Sequence, residues 1–435
     1  MKKILVISYY WPPSGGSGVQ RWLYFCKYLS EFGYEPIVLT VAEKKASYKN
    51  TDTNFVEKVA AIKTYKTNTF EPLKIYSWLT TGSSLKGIPH GNIQKHQKSF
   101  LQKIAAFVRG NFFIPDARIG WKKFALKKAR QIIQSEKIDL IITTGPPHSA
   151  HLIGMQLKKE FNIKWLADFR DPWLEIYYNK ELPRLSWAIK KDERLEKKVL
   201  ENADNILTVG FKLKQLLQQK TPLLRNKFHH IYNGFDAELM NEIIVKKKDH
   251  FEVTFVGLLT QKQSYQTILK ALQLFVAEHP KATIKLCLAG IIDDQIITEF
   301  KNSLAIPIDV KGYVSHKEAL TLMKQAQLLW NSLPEMEESQ ILISGKQMEY
   351  IATGNPIITI GNSESECALL METIQNTMML EKEQHREAAN FISLIYEQWN
   401  KNELYLNNTD IESIKSKSRY ETARQLAAYL DTIVP

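Results

Sequence analysis

Cysteine is scarce in this chain of 435 residues: Cys26, Cys287 and Cys367 are all there is. Three thiols so far apart form no disulfide framework and carry no metal-ligand spacing, so they read as core thiols of a protein from a reducing cytosol. Uninterrupted apolar runs of about 18 residues are absent, and no membrane span is expected. No repeat and no low-complexity tract appears. An apolar fraction of 44% and a charged fraction of 24% exclude a disordered chain and a fibre, and the length suits two or three domains. Lys2 and Lys3 precede an apolar stretch, but it is short, holds Ser8, Tyr9 and Tyr10, and stops at Pro12-Pro13. A buried first strand is expected there rather than a leader.

Acid is the other shortage, and it is local. Within 72–130 Asp116 is the only acid beside 12 basic residues. Residues 1–240 hold 39 Lys and Arg against 21 Asp and Glu, a net +18, and the rest of the chain holds 19 against 25, a net −6. A first half so basic attracts polyanions: acidic lipid, a phosphorylated substrate or nucleic acid. Nucleic acid is not expected, since no zinc-finger, RNA-recognition or homeodomain pattern is present. In 94–113, Phe100, Leu101, Ile104, Phe107 and Val108 recur at helical spacing beside Lys95, Lys98, Lys103 and Arg109. Such a helix either lies in an anionic membrane interface or packs its apolar face on its own domain.

Apolar strands separated by helices predict a doubly wound parallel sheet. In the first half strands are expected at 3–10, 35–40, 138–145, 164–169, 203–210 and 227–234. In the second half they are expected at 251–257, 282–290, 307–314, 327–333 and 355–361. The domain boundary is expected just after Asn233–Asp236, giving domains 1–238 and 239–435, with a C-terminal helix near 412–433 that packs back on the first. Two such domains bind ligands at the carboxyl ends of their strands.

Those carboxyl ends carry the candidate chemistry. After strand one comes Pro12-Pro13-Ser14-Gly15-Gly16-Ser17-Gly18 and then a helix, a tight turn whose unpaired amides suit an anion. It is neither G-x-G-x-x-G nor a P-loop. Pro146-Pro147-His148 ends another strand, where His148 either hydrogen-bonds a sugar hydroxyl or phosphate or caps the next helix. Asp168-Phe169-Arg170-Asp171 ends a third. There Arg170 either binds an acceptor or is held in an ion pair with Asp168 or Asp171.

The opening segment 12–40 resembles that of bacterial glycosyltransferases of family 4. So do TTGPPHSAHLIG (143–154), DFRDPW (168–173), RLEKKVLENADNILTV (194–209), YNGFD (232–236), FVG (255–257), GYVSHKEAL (312–320) and SGKQMEYIATGNPIITIG (344–361), in order. The resemblance implies an α/β fold of GT-B type, two Rossmann-like doubly wound domains facing across a cleft. The first would bind the acceptor and the second a nucleotide-sugar. It places Gly15, Gly16, Ser17 and Gly18 by the acceptor and the sugar's phosphate; His148, Asp168 and Arg170, read from their strand-end positions, are the candidate catalytic residues. It gives Glu349 the nucleotide ribose. Ser344, Lys346 and helix amides would meet the diphosphate.

Two departures stand out. Family members often carry a second acid eight residues before the ribose-binding one, and here that position is Ile341; Glu337, Glu338 or the amides of 341–344 are the alternatives. An Arg often follows the glycine of the second domain's first strand, and here Leu258 follows Gly257, leaving Lys262 as the nearby cation. No D-x-D dyad suited to a divalent ion is seen, and the resemblance likewise implies metal-independent transfer with retention, with no cofactor. The expectation is a cytoplasmic enzyme, peripheral on the inner face of the membrane. It would move a sugar from a nucleotide-diphosphate donor to a glycan or lipid-linked acceptor during polysaccharide assembly. A nucleotide-sugar epimerase, a phosphorylase and a non-catalytic nucleotide-sugar-binding protein are the alternatives on the same fold.

Overall fold

The computed structural model describes residues 1–48, 51–71, 100–341, 343–403 and 411–434. The chain divides into two compact units, Met1–Tyr232 with Thr422–Pro435, and Asn233–Glu421.

The first unit is built on seven strands: β1 (Lys2–Ile7), β2 (Tyr34–Val41), β3 (Lys63–Thr67), β4 (Leu140–Gly145), β5 (Lys164–Phe169), β6 (Asn205–Thr208) and β7 (Phe228–His230). They pair in parallel in the order β3-β2-β1-β4-β5-β6-β7. Successive residues of a strand face opposite ways. Leu5 and Ile7 therefore enter one core while Ile4 and Val6 enter the other, and both cores are covered by helices. This two-sided burial is why the central strands are continuous apolar runs.

The second unit repeats the plan with β8 (Phe251–Leu259), β9 (Ile284–Ile292), β10 (Ile308–Gly312), β11 (Leu328–Ser332), β12 (Ile357–Ile360) and β13 (Thr377–Leu380). Their order is β10-β9-β8-β11-β12-β13, again with parallel pairing. Two strands, β3 and β13, were not expected from the sequence.

The longer helices are α1 (Ser17–Leu29), α2 (Phe100–Phe112), α3 (Lys122–Glu136), α4 (Ser149–Phe161), α5 (Ser186–Asn202), α6 (Phe211–Lys220), α7 (Gln266–Glu278), α8 (Asp294–Ser303), α9 (His316–Gln325), α10 (Gly345–Thr353), α11 (His385–Asn400) and α12 (Arg419–Ile433). In α12, Ala423, Leu426, Ala427 and Leu430 join the core of Ile4, Val6 and Trp22. Asp431 accepts from the Tyr34 hydroxyl at 2.8 Å and pairs with Lys2 at 3.1 Å. Each fully buried aliphatic side chain of this kind contributes roughly 1.5–3 kcal/mol. No helix among the described residues is long and apolar enough to cross a membrane. Cys26, Cys287 and Cys367 are buried free thiols, and burial pushes each of them up. The part of the basic stretch that holds Lys95 and Lys98 lies outside the described residues.

Candidate functional site

In each sheet the strand order reverses direction once, between β1 and β4 and between β8 and β11. Loops leaving neighbouring strands at such a point diverge, which opens a crevice at the carboxyl ends. Most of the residues singled out from the sequence fall at these two places; Asp168 and Arg170 lie at the end of β5, one strand beyond the first.

In the first unit the turn after β1 leads into α1. Gly16 precedes that helix with φ 92°, a left-handed conformation that favours glycine. The helix start has no side-chain cap and no acid in its first turn, so its amides are open to an anion. Ser17 opens the helix, and its side chain lies outside the described part.

Asp168, at the end of β5, is fully buried and fully engaged. One oxygen accepts from Arg21 Nε and Nη2 at 3.1 and 3.0 Å, and the other from Trp22 Nε1 at 2.6 Å and Thr144 Oγ1 at 2.9 Å. Arg21 also donates to the Ile231 carbonyl at 2.8 Å. The ion pair of Asp168 is thus with Arg21 of α1. Arg170 turns instead to main-chain oxygens: Nη1 donates to Gly18, Nη2 to Pro146 and Nε to Gly145. A Cβ on Gly18 would stand 2.9 Å from Arg170 Nη1. Asp168 and Arg170 therefore hold the glycine turn and the β4 loop in place, and their polar atoms are spent on the protein.

His148 differs. It is buried, stacked on Trp173 at 4.8 Å between ring centroids, and neither ring nitrogen meets a well-aligned hydrogen-bond partner. Burial lowers its pKa to about 3, with Arg170 and Lys220 adding to the effect and the Pro172 main chain opposing it. The imidazole is neutral across the physiological range and offers a hydrogen bond without charge. Beside it His151 Nδ1 meets Thr143 Oγ1 at 2.8 Å. A Cβ on Gly145 would stand 2.7 Å from His148 Nδ1 and 2.6 Å from His151 Nε2. The first turn of α4 is capped by Asp116, which accepts from Ser149 N at 2.7 Å and Ser149 Oγ at 2.9 Å.

In the second unit Gly257 lies within β8 at φ 139°. A Cβ there would stand 3.2 Å from Lys346 Nζ. Lys346 sits in the first turn of α10, with its ammonium 4.2 Å from the Phe255 ring centroid. Among the described residues it has no carboxylate partner, and burial lowers its pKa to about 7. A cation at a helix start opposes the helix dipole, so its position is unfavourable without an anion. Other polar atoms of the β11–α10 segment are also open: Ser344 Oγ at the start of α10, and Asn331 Oδ1 and Ser332 Oγ at the end of β11, are buried without partners. Glu349, one turn further along α10, accepts from or pairs with His316 Nε2 at 2.8 Å, and that contact raises the His316 pKa. Lys262 stands exposed in the loop after β8; its carbonyl accepts from Glu335 N at 2.9 Å, and no contact joins it to Lys346. The side chains of Glu337 and Glu338 lie outside the described part.

Sequence reasoning missed Arg21 and His316. Arg21 had a readable signal, a charge set among Val19, Trp22 and Leu23 on a buried helix, where it needs a partner. His316 had none, because only the fold brings it to Glu349.

Residues 92–239 match the family model described as Glycosyltransferase Family 4. No curated protein matches this sequence. Among solved structures, a glycosyltransferase from Rickettsia africae is 13% identical with a TM-score of 0.59, over 99% of this chain and 98% of that one. The apo form of a lipopolysaccharide outer core galactosyltransferase is 10% identical with a TM-score of 0.57, over 99% and 100%. The E. coli trehalose-6-phosphate structure bound with UDP-2-fluoro glucose is 11% identical with a TM-score of 0.61, over the whole of both chains. With a family 4 domain over 92–239 and two parallel-sheet α/β units of GT-B type, this chain is a glycosyltransferase.

Proposed function

We propose that the enzyme transfers a sugar from a nucleotide-diphosphate donor to an acceptor hydroxyl, with retention at the anomeric carbon and without a metal ion. The donor belongs to the second unit. The observation that carries this is Lys346, a cation without a carboxylate partner among the described residues, at a helix start over the positive-φ Gly257. Such a group, on a helix whose start and neighbouring strand end leave the Ser344, Ser332 and Asn331 oxygens open, is built to meet an anion. Glu349 keeps one carboxylate oxygen for a ribose hydroxyl while His316 holds the other. The acceptor belongs to the first unit, where the neutral His148 and the amides of the glycine turn hydrogen-bond a hydroxyl or a phosphate. The acceptor is a glycan or a lipid-linked sugar on the inner face of the membrane, and the basic first unit meets the anionic surface.

A thermal-shift panel of nucleotide-sugars tests the donor half. A true donor at 100 times its Kd adds about 2.7 kcal/mol of stability. Lys346→Ala and Glu349→Ala are each expected to abolish the shift while leaving the fold intact. A shift that survives both substitutions overturns this site.

A further inference from the structure

We propose that the exposed apolar surface shared by α2 and the start of α5 is a docking face for an anionic lipid bilayer, set against the cavity that His148 lines. The inference rests on the acceptor reading above. On α2, Phe100 is 76% exposed and Phe112 66%, with Ile104 and Phe107 also exposed. Leu185, Trp187 (46%) and Ile189 continue the surface across to α5. The two parts are joined: Phe112 and Trp187 meet edge-on at 5.9 Å between centroids. Asn111, fully buried, donates to the Phe107 and Pro183 carbonyls at 2.8 Å each and accepts from Leu185 N at 2.7 Å. The surface is therefore held rigid from beneath, and it is not the frayed end of a helix.

Contiguous exposed apolar groups of this extent mark an interface. Charge selects the occupant. Residues 100–112 and 180–194 together carry seven basic residues and three acidic ones, and one of the acids, Asp192, is buried and paired with Arg184 at 2.6 Å. Exposed Lys103, Lys190, Lys191 and Arg194 suit anionic headgroups, with Trp187 at headgroup level. A second copy of this chain would bring the same basic rim against itself. Arg109 of α2, with Leu182 and Arg184 just before α5, lines one cavity together with Pro146, His148 and Trp173. A lipid-linked acceptor held in the bilayer would present its head to that cavity.

The test is vesicle flotation of the full chain. Phosphatidylcholine vesicles containing phosphatidylglycerol are compared with phosphatidylcholine alone. Wild type is expected to float with the anionic vesicles only, and less at high salt. Phe112→Ser with Trp187→Ser, and separately Lys190→Glu with Lys191→Glu, are each expected to weaken binding by at least about tenfold. Unchanged binding by the apolar pair, equal binding to neutral vesicles, or no flotation of wild type overturns the proposal. So does a wild-type dimer in sedimentation that the apolar pair breaks, which would make the face a self-interface. The nucleotide-sugar thermal shift is expected to persist in every variant. Its absence from wild type as well would count against the donor reading and leave the docking result standing.

Discussion

The ammonium of Lys346 stands 3.2 Å from the point where a Cβ on Gly257 would lie, so the β8 glycine and the α10 lysine share one space. Gly257→Ala is expected to fail twice. At φ 139° an alanine is strained by roughly 1–3 kcal/mol, and its methyl group presses on the lysine. A lower Tm together with loss of the nucleotide-sugar shift is the expected outcome. Loss of Tm alone, with the ligand shift intact, would separate the glycine from the donor site.

Lys346 also makes donor binding depend on pH. Its pKa is lowered from 10.5 to about 7 by burial, so above pH 7 the ligand-free protein is increasingly neutral at this position. A diphosphate stabilises the ammonium and draws a proton in. Donor affinity is therefore expected to fall as pH rises from about 7 toward 10. Calorimetry in buffers of different ionisation enthalpy is expected to report proton uptake at pH 8. Without ligand the sign reverses. The folded state binds fewer protons than the unfolded state between about 7 and 10.5, so this group's contribution to stability grows as pH rises through that window. Lys346→Met is expected to remove both dependences.

His316 and Glu349 set a second pH response. The carboxylate raises the His316 pKa above 6.5. The folded state then holds a proton that the unfolded state has released. The pair's contribution is present in full below pH 6.5 and is lost as pH rises through the raised value. An NMR titration of His316 is expected to give a midpoint above 6.5 that drops in Glu349→Gln. A ribose hydroxyl on the other carboxylate oxygen weakens the field of Glu349 at His316, so saturating donor is expected to lower the midpoint too. A midpoint indifferent to both changes would mean the contact does not form in solution.

Much of this was legible in the sequence because burial on two faces leaves strong marks. The inner strands, such as Leu140–Gly145 and Lys164–Phe169, are buried almost throughout, and each holds an apolar run, Leu140–Ile142 and Trp165–Ala167. The two strands left unread, Lys63–Thr67 and Thr377–Leu380, are each the last strand of a sheet. With one edge unpaired they are half-covered: KTYKT carries no apolar signal, and TMML is too short, at four residues, to stand out as a strand. The site was legible to the same depth. Turns at strand ends marked Gly16 and His148, and the family resemblance marked Glu349. The partner of Asp168 lies 147 residues away in sequence and was not visible; a local reading offered Arg170 as one of two alternatives. Local spacing reports which residues end a strand, but only the fold reports which of them find each other.

That buried pair yields the sharpest stability test. Arg21 and Asp168 are both fully buried, and Asp168 also receives Trp22 and Thr144. Asp168→Asn leaves the guanidinium without a counter-charge in a low-dielectric interior, and a loss of about 3–5 kcal/mol is expected. Arg21→Met strands the carboxylate and is expected to cost a similar amount. The double variant is expected to lose less than the sum of the two by about 1–3 kcal/mol, because neither charge then remains alone. Urea unfolding of the three variants measures the cycle. The functional consequence follows from position: Asp168 ties α1, and with it the glycine turn, to β4 and β5. Each single variant is expected to lose glycosyl transfer more steeply than it loses nucleotide-sugar binding, which we propose for the other unit. Additive losses, or equal losses of binding and transfer, would show that the pair neither couples nor positions the turn.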